Sequence, residues 1–229
     1  MRTHFHELLK EIERRLADEA GLVDRALDDA VRAFVTKDAA LAGKVVDGDH
    51  ALDHAEVELE RLCLDTMALQ QSMAVDLRFL AASLKINSDL ERMGDEACKI
   101  AKQTWRLTAP SVAEFGDRLT ALIESVRRMA RDATDALLRR DAELARRVWS
   151  VDAQVDERFR ELLDLCLRLM KANRASVEDA TLYVAAARAI ERVGDHATNV
   201  AEDVVFIVEG RIVRHNVEAR IAPQPPQGA

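Results

Sequence analysis

The chain has 229 residues, 48% of them hydrophobic but only 4% aromatic, with 8 glycines, 4 prolines and a formal net charge of -8. An acidic balance argues against a nucleic-acid partner, which a basic face would normally meet, and a polypeptide rich in Ala, Leu, Arg, Glu and Asp has the makeup of long helices. No apolar run approaches the roughly 18 residues of a membrane-crossing helix, and charged residues stand where a signal peptide needs its apolar stretch, so the expected location is the cytoplasm without membrane insertion.

In chain order, apolar residues from about Thr3 to Lys37 recur at three- and four-residue steps, among them Phe5, Ile12, Leu16, Val23, Leu27 and Phe34, which predicts one long amphipathic helix. A second helix is predicted from Ala40 to about Leu69 and a third from about Ala74 to Leu107. Pro110 then stops the pattern, since the residue before a proline is pushed out of helical backbone. A fourth helix ends near Arg140, a fifth follows, and a sixth spans about Val177 to Glu209, closed by Gly210 in the position of a helix C-cap. The proline-rich segment at 216–229 has the composition of a disordered tail.

The second half repeats the first. Asp38, Val45, Asp49, Asp53 and Cys63 are answered by Asp141, Val148, Asp152, Asp156 and Cys166, each 103 residues on. Glu91-Arg92-Met93-Gly94-Asp95-Glu96-Ala97 returns 100 residues on as Glu191-Arg192-Val193-Gly194-Asp195-His196-Ala197. The two offsets place three extra residues in the first half, around Gln70 to Met73. The expected fold is all-α: two tandem three-helix bundles related by internal duplication, at 1–109 and 110–215. Cys63, Cys98 and Cys166 read as small core residues in a reducing compartment.

Within each motif the Glu and the Asp four positions later share one helix face, where both carboxylates can reach one cation. The matched Gly94 and Gly194 suggest a close approach to the backbone, because an interior glycine weakens a helix. Antiparallel pairing of the second and third helices sets Asp49 and Asp53 level with Glu91 and Asp95, about 30 Å from the turn. The fifth and sixth helices do the same for Asp152, Asp156, Glu191 and Asp195. Four carboxylates at ion-pairing distance need a compensating cation, and oxygen ligands favour hard ions such as Mg, Mn, Ca or ferric iron. Both sets are expected to point away from the core. Arg92 and Arg192 can brace the carboxylates or sit in surface ion pairs. His50 and His54 have no counterparts at Ala153 and Glu157 and read as exposed-face residues, His196 as a helix-surface hydrogen-bonding group, and Trp105 and Trp149 as core or interface anchors.

The duplicated six-helix layout, the paired Glu-Arg-x-Gly-Asp motifs, Asp-Leu-Arg at Asp76 to Arg78 and the run from Gly194 to Glu202 resemble the PhoU family over about residues 3 to 215. The resemblance implies a dimeric pair of three-helix bundles carrying multinuclear metal clusters on the outer face. It also implies a cytoplasmic negative regulator of the phosphate-starvation response, acting between the ATPase subunit of a phosphate transporter and a sensor histidine kinase. Carried onto this chain, the ligands are Asp49, Asp53, Glu91 and Asp95, then Asp152, Asp156, Glu191 and Asp195. The bound ions have oxygen ligands, iron foremost, with manganese, magnesium or zinc as alternatives. Asn199 and Glu202 extend the second motif as supporting residues, whereas Lys99 and Lys102 stand at those places in the first and compete with a cation. Two other readings remain: a ferritin-like di-iron carboxylate enzyme, which needs Glu-x-x-His pairs that this chain lacks, and a metal-free helical scaffold.

Overall fold

The computed structural model describes residues 2–69 and 74–213. The expected loop insertion around Gln70 to Met73 and the tail at 216–229 lie outside the described residues.

Six helices account for nearly all of it: α1 Arg2–Thr36, α2 Ala39–Leu69, α3 Ala74–Thr104, α4 Ala113–Arg139, α5 Ala142–Lys171 and α6 Val177–Glu209. Helices α1, α2 and α3 pack as one bundle and α4, α5 and α6 as a second, joined where α3 lies on α6 and α1 on α4. Their boundaries follow local chemistry. Lys37 and Arg140, equivalent in the duplication, both take left-handed backbone (φ 57° and 55°) and end α1 and α4. The next residue is an aspartate in each case: Asp38 Oδ1 accepts from the amides of Ala40 and Leu41, and Asp141 Oδ1 from that of Leu144, which satisfies donors that a helix start leaves unpaired. Gly210 closes α6 at φ 70°. The Arg78 guanidinium lies 3.3 Å from where a Cβ would stand on Gly210, so the Arg of the Asp-Leu-Arg run packs on the end of the sixth helix.

The third helix stops at Thr104 rather than Leu107, because the Arg106 amide turns back to the Gln103 carbonyl and Thr108 is taken by Asp179 of α6. Trp105 is half exposed rather than a core anchor, its indole N–H donating to the Ala39 carbonyl; Trp149 packs against the core. Behind the Pro110 break, the Tyr183 hydroxyl accepts from the Val112 amide while its ring stacks on Phe115 at 4.3 Å and meets Phe34 edge-on. One aromatic knot thus joins the end of α1 to the starts of α4 and α6. All three cysteines are free and buried. Burial raises the Cys63 and Cys98 thiols to about 12 and Cys166 to about 11, consistent with inert core residues.

Candidate metal-binding faces

The outer helices α2 and α5 carry Asp49, Asp53, Asp152 and Asp156, while the shared inner helices α3 and α6 carry Glu91, Asp95, Glu191 and Asp195. None of the eight is fully buried. In the first bundle Glu91 is held above its ordinary carboxylate range, first by burial, then by the charges of Asp95, Glu56 and Asp53. Asp49 lies one turn further along, by the Cys98 thiol, which also faces Asp95. In the second bundle Glu191 and Asp195 are both raised, again by burial first; Asp195 and Asp156 then act on Glu191, and Asp156 on Asp195. Asp152 accepts a long hydrogen bond, 3.4 Å, from the Thr198 hydroxyl. Asp53, Glu91 and Asp95 in the first bundle, and Asp156, Glu191 and Asp195 in the second, thus share an electrostatic neighbourhood.

The side chains do not close around an ion. Among the described residues, no three His, Cys, Asp or Glu side chains stand in an arrangement that would hold a metal. They lie by basic side chains instead: Lys99 is 3.6 Å from Asp95 and 3.0 Å from Glu96, Arg188 3.4 Å from Glu191, Arg160 3.9 Å from Asp156, and the exposed His50 3.9 Å from Asp53. As donors, eight carboxylates at a partly solvated surface fit a hard cation, and their present partners are long, flexible side chains that can swing away. The first face has the stronger internal competitor, Lys99.

Several supporting assignments change. Arg192 reaches across to Glu96 of α3 at 3.5 Å, while its charge also acts to lower Glu191 and Asp195. Asn199 donates to Asp89 of α3, and Glu202 is only 2% exposed. His196 is half-buried rather than on the open surface: its Nδ1 pairs at 2.9 Å with Oδ1 of the buried Asp89. The physical reason is common to all four. α6 is both a bundle helix and half of the seam between bundles, so residues flanking the motif are turned toward α3. Arg92 stays exposed, and its charge acts to lower Glu91 and Glu56.

Pairing across the seam runs Lys85 to Asp203, Asp89 to His196, and Glu96 to Arg192, so numbers rise on α3 as they fall on α6. The inner helices are antiparallel. One consequence was invisible hairpin by hairpin: Asp95 and Asp195 line the same cleft of about 420 Å3, together with Arg92, Arg192 and Lys99. Of the matched glycines, Gly94 faces Leu52 so closely that a Cβ would overlap its Cδ2, whereas Gly194 has only ordinary contacts, 3.5 Å to Val155 and 3.7 Å to Val126. The close approach expected at both exists at Gly94 alone.

The model of the PhoU domain matches residues 16–104 and again 119–204, one match per bundle. The chain belongs to the PhoU family. It is 34% identical over 212 residues to a phosphate-specific transport system accessory protein PhoU homolog of Pseudomonas putida, covering 92% of this chain and 83% of the relative. It is 35% identical to the PhoU homolog of Caulobacter vibrioides (strain NA1000 / CB15N), with 90% of each chain covered. The crystal structure of PhoU from Pseudomonas aeruginosa superposes with a TM-score of 0.85 at 31% identity, over 90% of this chain and 100% of that one. PhoU from Streptococcus pneumoniae gives 0.84 at 29% identity, over 91% and 99%. The relatives are named as accessory proteins of a transport system, and no helix among the described residues of this PhoU-family chain is long and apolar enough to cross a membrane.

Proposed function

We propose that this chain is a cytoplasmic, homodimeric negative regulator of phosphate uptake and of the phosphate-starvation response, an adaptor rather than an enzyme. It docks on the ATPase subunit of a phosphate transporter and on a sensor histidine kinase, and carries oxygen-ligated metal ions, iron foremost, with manganese, magnesium or zinc as alternatives. The observation that carries the metal reading is the twofold recurrence of the acidic set: Asp49, Asp53, Glu91 and Asp95 in one bundle, Asp152, Asp156, Glu191 and Asp195 in the other. At these solvent-reachable faces burial and then neighbouring acids raise Glu91 in the first set and Glu191 and Asp195 in the second. The regulatory reading rests on family membership and on the accessory role in the relatives' names.

A ferritin-like oxidase needs Glu-x-x-His pairs beside its core carboxylates, and no Glu-x-x-His occurs in this sequence. Metal content of the purified protein is the test. Replacing Asp152, Asp156 and Asp195 with Asn is expected to lower bound iron or manganese by the share of the second face and to weaken capture of the transporter ATPase; unchanged metal content rejects that site. Oxygen consumption by iron-loaded protein would overturn the non-enzymatic reading.

A further inference from the structure

The duplication supplies an internal control for the core, since each position in the first bundle has an equivalent in the second. With offsets of 103 for α1 and α2 and 100 for α3, Glu19, Glu56 and Asn87 correspond to Leu122, Phe159 and Ala187. Those three are all buried core residues of the second bundle. In the first bundle every helix therefore contributes at least one polar residue where its counterpart is apolar; Thr66 and Thr104, opposite Leu169 and Val204, are two more. The three are neighbours: Glu19 feels the charges of Glu56 and Glu91, and Asn87 Nδ2 donates to the Glu56 carbonyl at 2.9 Å.

The side-chain oxygens of Glu19 and Asn87 are unused. Glu19 is 1% exposed and Asn87 2%, and among the described residues both Glu19 carboxyl oxygens and Asn87 Oδ1 lack any hydrogen-bond partner. A buried polar atom left unpaired is costly, and here two helices of one bundle each leave acceptors unpaired. All three orphan atoms are acceptors. The cation whose charge acts here, Arg92, is exposed on the outer face. What acceptors of this kind lack is a donor or a cation.

We propose that the first bundle holds an interior divalent-cation site built from Glu19, Glu56 and Asn87, with Glu91 closing its outer side, and that the second bundle has no such site. Oxygen-only ligands select a hard ion such as Mg2+ or Mn2+. Glu19 and Asn87 are held in place by the core. Glu56 and Glu91 are partly exposed and complete the coordination by turning inward, a motion the ion itself drives. The site stands apart from the outer faces and shares only Glu91 with them.

The test uses the full chain, freed of metal by a chelator and titrated with Mn2+, the bound ion being counted by its paramagnetic signal. The background carries Asn at Asp49, Asp53, Asp95, Asp152, Asp156 and Asp195, which disables the outer faces and leaves Glu91 in place. This background is expected to bind one Mn2+ per chain. Glu19→Gln should weaken that binding at least about tenfold, and Glu19→Leu, the residue used by the second bundle, should abolish it. In the otherwise unsubstituted chain, Glu19→Gln should lower the stoichiometry by one ion while leaving the outer-face ions, so failure here and failure of the outer sites give different counts. Mn2+ uptake indifferent to Glu19→Gln, or no uptake by a folded background, overturns the proposal and leaves Glu19 as a neutral buried acid. Circular dichroism establishes folding for each variant.

Discussion

Glu19 and Asp24 lie five residues apart on α1, yet their environments act on them in opposite senses. Burial, then Glu56 and Glu91, push Glu19 from 4.5 to about 8, so in metal-free protein its ionisation opposes folding increasingly as pH rises through that range. Glu19→Leu is expected to stabilise chelator-treated protein, by a margin growing up to about 1.4 kcal/mol per pH unit between those values, read from urea unfolding at several pH values. Asp24 behaves conversely. Its hydrogen bonds to Arg127 hold it below 3.8, so its contribution is complete above that value and is lost as pH falls through the lowered one. The glycines make a second pair. Gly194→Ala gains helix propensity at a site with room for a methyl group and should stabilise by about 0.5–1 kcal/mol, whereas Gly94→Ala must displace the buried Leu52 and should show no gain or a loss. Thermal unfolding of the two variants side by side checks the contrast. Glu19 was detectable before any coordinates, as a charge on the apolar stripe between Leu16 and Val23, but nothing in the stripe shows what surrounds it.

At the level of elements, the helices were legible because their signals are local. The apolar spacing of α6 and the aspartates after α1 and α4 depend on residues within a turn or two. Asp141→Ala removes the acceptor for the Leu144 amide and should cost about 1 kcal/mol, measured as a shift in the urea midpoint at unchanged slope. The end of α3 was misplaced by three residues because its stop is set from afar, by Asp179 holding the Thr108 amide. Periodicity alone runs on to Leu107.

Across the whole molecule, the two bundles are locked by polar pairs as well as by the aromatic knot at Tyr183. Arg127 of α4 makes two bonds to Asp24, at 2.8 and 2.9 Å, and pairs with Asp28. Its side chain is 16% exposed and that of Asp24 25%, so screening by water is limited. Arg127→Ala is expected to cost about 1–3 kcal/mol at neutral pH and to erase the acid-side dependence contributed by Asp24, both readable in unfolding at pH 7 and pH 3. Neither residue stood out in the sequence: an arginine and an aspartate on separate helices of a chain that is 32% charged carry no mark of being partners.

Read without coordinates, the chain determined its helices, its duplication and the matching heights of its acidic motifs, because backbone hydrogen bonding, side-chain periodicity and helix rise are properties of short segments. Only the packed structure decided that α3 and α6 run antiparallel, that Asp95 and Asp195 share a cleft, that His196, Asn199 and Arg192 belong to the seam, and that Glu19 lies sealed in a core. Those outcomes depend on which face of each helix meets a neighbour more than a hundred residues away, and that choice is made by burying apolar surface over the whole molecule at once.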